Sequence, residues 1–135
     1  MIIDTSALLA YFDAHEPDHA AVSRVIERSK EPLVVSPFVV AELDYLVAIR
    51  IGIDAELAGL RELCSGAWEL ATFGVAELEQ AASIIEKYRD QRVGITDVSN
   101  VVLADRYRTR TIATLDRRHF EVLRPLRGGR FVVTP

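Results

Sequence analysis

Short apolar runs alternate along this chain with longer segments whose apolar residues recur at helical spacing. Met1-Ile2-Ile3, stopping at Asp4, reads as a buried strand. Leu33-Val34-Val35, Trp68 to Phe73, Thr111 to Leu115 and Arg130 to Thr134 read as four more. Between them, Thr5 or Ser6 caps a helix through Leu8, Leu9, Tyr11 and Phe12, which His15-Glu16-Pro17 breaks. Pro17 opens a second helix, DHAAVSRVIERS, with Val22, Val25 and Ile26 on one face. Ser36 as cap and Pro37 at the first helical position start a third, FVVAELDYLVAIRI, which ends at Gly52. Further helices are expected over 54–64, over 75–90 and over DVSNVVLADRYRT after Gly94-Ile95-Thr96, with a short helical turn from Arg117 to Phe120. There are no repeats, low-complexity tracts or linkers. Strands alternating with helices predict an α/β fold of one domain over residues 1–135. It has three layers, α/β/α, with a central, mostly parallel sheet covered on both faces.

Ligands of such sheets bind beyond the carboxyl ends of the strands. Asp4 ends the first strand and Asp116 the fourth, and Asp97 lies in the first turn of a late helix. All three map to that edge. Glu42 lies inside an unusually apolar helix, where Phe38, Val39 and Leu46 place it on an apolar stripe. A carboxylate there is costly unless it is paired or binds a metal. Asp44 is about 200° round the helix from Glu42, so one acid faces the site and the other faces solvent or an arginine. Glu42 is assigned inward. Each position also has a plain structural reading. Asp4 could cap the first helix, Asp97 could answer a helix dipole and Asp116 could belong to a turn. The convergence of all four is what favours a site.

Composition sharpens this picture. Half of the 135 residues are hydrophobic and 27% are charged, as in a soluble globule. No stretch approaches the ~18 apolar residues of a membrane span, and the N-terminus has no signal-peptide pattern. Cys64 is the single cysteine, which excludes an internal disulfide and a four-thiolate zinc site and suits a reducing cytoplasm. The net charge of −4 is divided unevenly. Residues 1–88 carry six Lys/Arg against fifteen Asp/Glu, whereas residues 89–135 carry ten Arg against five acids. Arginine suits bidentate phosphate contacts. The late segment is therefore either a solvated basic surface or a phosphate-facing edge beside an acidic site.

Clustered carboxylates are hard oxygen ligands, suited to Mg²⁺ or Mn²⁺ rather than zinc. They repel one another unless a cation neutralises them. Such an ion activates water at neutral pH and stabilises charge growing on a phosphodiester.

Four segments, MIIDTSALLAYF, SPFVVAELDYL, GITDVSNVVLADRY and TIATLDRRHFEVLRPLRGGRF, taken in order, resemble PIN-domain ribonucleases of the VapC toxin type, mycobacterial members especially. The resemblance covers most of the chain. It implies a PIN-like fold and a metal-dependent endoribonuclease that acts on RNA, on a structured transfer or ribosomal RNA loop, and so arrests translation. It implies that Asp4, Glu42, Asp97 and Asp116 form the catalytic, metal-holding set, with Asp4 and Asp97 the leading direct ligands and Asp116 the least uniform position. It implies supporting polar groups at Thr5, Ser6, Thr96 and Asn100, Asn100 lying one turn from Asp97. It also implies a homodimer and a VapB-type antitoxin, together a heterotetramer or larger. Arg117, Arg118 and His119 are the expected contacts to RNA or antitoxin.

Two other signals lead elsewhere. His15-Glu16-Pro17-Asp18-His19 spells H-E-x-x-H, but Pro17 pushes Glu16 out of helical geometry, so the two histidines cannot share one helix. No phosphate-cradling glycine motif is present. Tyr11, Phe12, Phe38 and Tyr45 are expected in the core, and the helix at 37–51 is apolar enough for a subunit interface. A phosphoryl-accepting receiver would need an acidic pair near the first strand and a late lysine. This chain has only Asp4, with Lys30 and Lys87 badly placed. A non-catalytic binding module, whose acids merely cap helices, is the competing reading.

Overall fold

The computed structural model describes residues 1–135. Five strands, β1 (Ile2–Ile3), β2 (Val34–Val35), β3 (Glu69–Leu70), β4 (Thr111–Ala113) and β5 (Val132–Thr134), form one sheet in the order β3-β2-β1-β4-β5. Every pairing is parallel, where the sequence predicts a mostly parallel sheet.

The pleat explains why β1 and β2 carry no polar residue, and β4 only Thr111 at its start. Ile3, Val35 and Ala113 pack into one hydrophobic layer, and their neighbours Ile2, Val34 and Ile112 into the other. Both faces of the central strands are buried, as parallel sheets require. The first layer holds α1 (Thr5–Phe12), α2 (His19–Arg28), α3 (Pro37–Arg50) and α4 (Ile53–Leu63). The second holds α5 (Val75–Lys87), α6 (Ile95–Arg106) and α7 (Arg117–Val122). The result is a three-layer α/β/α sandwich.

Local chemistry sets the helix starts. Ser36 caps α3, its Oγ accepting from the Phe38 amide at 3.2 Å, with Pro37 next in line. Gly52 takes φ 128°, a backbone angle open to glycine, and turns the chain from α3 into α4. Helix α6 buries seven consecutive residues, Val98 to Ala104, so it runs through the interior rather than over it.

Several elements differ from the sequence expectation. The N-cap of α1 is Asp4, not Thr5 or Ser6, and its side chain makes no capping bond. β3 contracts from Trp68–Phe73 to Glu69–Leu70, both exposed, because an edge strand has a partner on one side only. Helix α2 begins at His19 and α6 begins two residues before Asp97. Tyr45 is 64% exposed instead of lying in the core, since α3 buries the stripe Val39, Leu43 and Val47. Phe38 is half-buried, edge-to-face with Phe73. No helix is long and apolar enough to cross a membrane.

Candidate active site

At the carboxyl end of the sheet, Asp4, Thr5, Ser6, Glu42, Thr96, Asp97, Asp116 and His119 line one open cleft of about 320 Å³. Parallel strands bring this about. β1 and β4 are adjacent and in register at Ile3 and Ala113, so the residues that follow them, Asp4 and Thr114, leave the sheet side by side.

Asp4 is only 5% exposed and is gripped from three directions. Asn100 Nδ2, from the buried face of α6, donates to Oδ1 at 3.1 Å. Thr114 Oγ1 and Ser6 Oγ donate to Oδ2 at 2.7 and 3.0 Å. Ser6 and Thr114 also meet each other at 3.0 Å, and the Leu115 and Asp116 amides donate to Ser6 Oγ and Thr114 Oγ1. A capping role would leave this carboxylate on its own helix. Here it makes no capping bond and is held by Thr114, just after β4, and by Asn100 of α6 as well as by the Ser6 hydroxyl.

Thr5 Oγ1 donates to Glu42 Oε2 at 2.6 Å and ties α3 to the start of α1. Glu42 itself is exposed, a correction to its expected place on a buried stripe. It sits on the flank of α3, and Leu46 and Arg50 follow it along the cleft wall at successive turns. Asp44 faces neither solvent alone nor an arginine. It stands beside Glu56 of α4, and that neighbouring acid raises the Glu56 carboxyl above its usual range.

Asp97 is largely buried in the first turn of α6, and its carboxylate pairs with His119 Nδ1 at 3.0 Å. Burial pushes its pKa up. His119 pulls it back down, and the nearby Asp4 charge adds to the rise. Asp116 is held bidentately by Arg118, at 3.1 Å to each oxygen, which lowers its pKa. It makes no side-chain cap to α7.

The acids therefore line one cleft without closing into a ready cage: no three carboxylates or histidines stand close enough to share an ion. Like charges separate, and Asp97 and Asp116 each hold a basic side chain of their own, His119 and Arg118. The donor set is nonetheless all hard oxygen. Asp4 is fixed in direction, and Asp4 and Asp97 are close enough to repel. Those properties fit a hard divalent cation.

Other expected residues are placed less centrally. Thr96 lines the cleft but makes no side-chain hydrogen bond; only its carbonyl is used, accepting from Ser99. Asn100 lies beneath the cleft, fully buried, with Oδ1 unpartnered. Arg118 is spent on Asp116, and Arg117 donates to the Pro135 carbonyl outside the cleft. Sequence reasoning missed Thr114 and Arg50. Thr114 was signalled by its place straight after the β4 apolar run, the position Asp4 holds after β1. Arg50 was signalled by its spacing from Glu42, two turns along the same face.

A PIN-domain model matches residues 1–124. Ribonuclease VapC26 of Mycobacterium tuberculosis (strain ATCC 25618 / H37Rv) is 75% identical over 135 residues, 100% of both chains. The crystal structure of Mycobacterium tuberculosis VapC20, a sarcin-ricin loop cleaving toxin, superposes with TM-score 0.85 at 18% identity, covering 99% of this chain and 98% of that one. VapBC2 from Rickettsia felis, bound to a DNA fragment from its promoter, gives TM-score 0.69 at 15% identity, covering 98% and 95%. These two structures share the fold.

Proposed function

The chain belongs to the PIN-domain family, as a VapC-type ribonuclease toxin, and from that premise we propose that the cleft of Asp4, Glu42, Asp97 and Asp116 is its endoribonuclease active site. The observation that carries this reading is the grip on Asp4. A carboxylate this buried, held by Asn100, Ser6 and Thr114 rather than used as a helix cap, is a carboxylate kept in one orientation at the cleft floor.

PIN-domain ribonucleases are in general divalent-metal dependent. Here the ion would be Mg²⁺, with Mn²⁺ able to replace it; Asp4 and Asp97 would hold it, and Glu42 and Asp116 line the same cleft. Bound there, it supplies an activated water at neutral pH and stabilises charge growing on the phosphodiester. The chain's own groups do the positioning. Ser6, Thr114 and Asn100 aim Asp4, and Thr5 aims Glu42. His119 pairs with Asp97, and Arg118 gives Asp116 a counter-charge. Arg50, which has no carboxylate partner, faces incoming phosphate from the α3 wall.

The substrate is a single-stranded loop of a structured RNA, transfer or ribosomal, whose cleavage stops translation and growth. The partners are a VapB-type antitoxin and a second copy of the chain, assembled as a heterotetramer or larger. The exposed apolar residues Tyr45, Ile49 and Ile53 on α3 and α4 suit such contacts. A lone exposed thiol, Cys64, suits a reducing cytoplasm.

The test is incubation of purified, antitoxin-free protein with total cellular RNA in Mg²⁺, Mn²⁺ or EDTA. Discrete fragments in either metal and none in EDTA are expected, and their mapped ends name the substrate. Intact RNA in both metals, from folded protein, would refute the reading.

A further inference from the structure

The ten arginines of residues 89–135 are not equivalent. Arg89, Arg106, Arg118 and Arg127 each pair with a carboxylate. The other six do not, and three of these, Arg117, Arg124 and Arg130, line one groove between α7 and β5. At about 430 Å³ the groove is larger than the catalytic cleft. Helix α7 divides the two: His119 lines the cleft, while Arg117, Phe120 and Glu121 line the groove.

The construction of the groove says what it can recognise. Its floor is the edge-to-face pair Phe120 and Phe131, with centroids 5.9 Å apart and the rings 3% and 8% exposed. Rings buried so deeply offer no face for a base to stack on. Around them stand three guanidinium groups, two of them anchored. Arg124 Nη1 donates to the Glu121 and Leu123 carbonyls at 2.6 and 3.1 Å, which pins it at the end of α7. Arg117 is held by the Pro135 carbonyl. Arg130 makes no hydrogen bond or ion pair within the protein, so all of its donors are available. Glu121 is the single acid on the rim.

We propose that this groove binds the phosphodiester backbone of the substrate RNA strand as it leaves the catalytic cleft over α7. Forked donors over an apolar floor, two anchored and one free, bind phosphate oxygens without reading bases, and they set the register in which a strand crosses the adjacent cleft. The assignment rests on the cleft being the ribonuclease site, and it adds Arg124 and Arg130 to the chain's RNA-binding residues.

The test measures binding apart from cleavage. A fluorescein-labelled single-stranded RNA of about 16 nucleotides is titrated, over a range of salt, with full-length Asp4→Asn protein. The same titration is made with that protein carrying Arg130→Gln alone or Arg124→Gln with Arg130→Gln. The single Arg130→Gln variant guards against misfolding, because the Arg130 side chain makes no hydrogen bond or ion pair and the melting temperature is expected to stay unchanged. Each lost phosphate contact lowers the slope of log affinity against log salt by about 0.7. We expect a several-fold loss of affinity for the single variant and roughly tenfold or more for the double. Unchanged affinity and slope in folded variants would overturn the proposal. So would arginine variants that lose a purified VapB-type antitoxin while keeping RNA. Wild-type cleavage, assayed alongside, separates the two readings. Arginine-dependent binding without cutting leaves the groove standing and refutes the catalytic reading, and cutting with arginine-independent binding does the reverse.

Discussion

Asn100 donates its side-chain amide to Asp4 at 3.1 Å, across 96 residues of sequence and from the middle of a helix buried on every side. That bond joins the interior of the second helical layer to the end of the central strand. It gives a buried polar residue a structural reason to lie in an apolar helix.

Replacing Asn100 with Ala removes one of the three donors to Asp4 and leaves one carboxylate oxygen without its buried partner. Stability is expected to fall by about 1–3 kcal/mol in denaturant unfolding. Cleavage is expected to fall by about 10–100-fold, as for groups that orient metal ligands. Wild-type cleavage by a destabilised variant would show that the bond serves folding alone.

Thr5→Val tests the link to Glu42. The swap keeps the buried side chain's shape and deletes the hydroxyl that donates at 2.6 Å. Glu42 is exposed and regains water, so the melting temperature should move little. Cleavage should fall about tenfold or more, because Glu42 is no longer aimed at the cleft. Measuring both on one preparation separates aim from stability.

Asp97 gives a prediction whose sign depends on metal. Burial raises its pKa, His119 opposes the rise and Asp4 adds to it. A carboxyl with a raised folded pKa favours folding below its unfolded value, and that contribution is lost as pH rises through the folded one. At neutral pH the charge is therefore a cost. In EDTA, Asp97→Asn should melt roughly 2–5 °C above wild type while losing cleavage. Mg²⁺ at about 100 times its Kd should stabilise wild type by about 2.7 kcal/mol and the variant by far less. Equal Mg²⁺ stabilisation of the two proteins would place the ion elsewhere.

Much of this arrangement was legible in the chain, because strand ends are marked by the switch from apolar to polar. Asp4 and Asp116 could be assigned to the sheet's carboxyl edge on that basis, and Ser36-Pro37 marked the start of α3 through capping chemistry. What was not legible depends on rotation and partner choice. A helix as apolar as α3 has more than one plausible buried stripe. The apolar pattern places Glu42 on a stripe with Phe38, Val39 and Leu46 and Tyr45 in the core, whereas Val39, Leu43 and Val47 take the core, leaving Tyr45 at the surface and Glu42 exposed on the cleft wall. Thr114 stands straight after the β4 apolar run, but that it meets Asp4 follows from the β1–β4 register, which no local pattern encodes. Likewise, spacing could not tell which arginines were already paired: Arg118 is engaged by Asp116, and Arg130 is engaged by nothing.

Glu31 supplies a pH test away from the cleft. It accepts from the Met1 ammonium at 2.7 Å and from Thr109 at 2.6 Å, and the ammonium's hydrogen bond leads the causes that lower its pKa. A depressed folded pKa means stability present above the unfolded value and lost as pH falls through the folded one. Glu31 is half exposed, so its contribution is that of a screened pair, about 0.5–1 kcal/mol. Glu31→Gln should be less stable than wild type by that amount at neutral pH, and the difference should vanish in acid. A difference that persists at low pH would assign the effect to packing.

The central claim, that the Asp4 cleft is where RNA is cut, is tested most directly by single-turnover cleavage with Asp4→Asn beside wild type in Mg²⁺, with thermal melting to confirm the fold. The account predicts a variant that melts as a folded protein and cuts at least about 1000-fold more slowly, a loss of about 4 kcal/mol in transition-state stabilisation. Cleavage by the folded variant at the wild-type rate would contradict it.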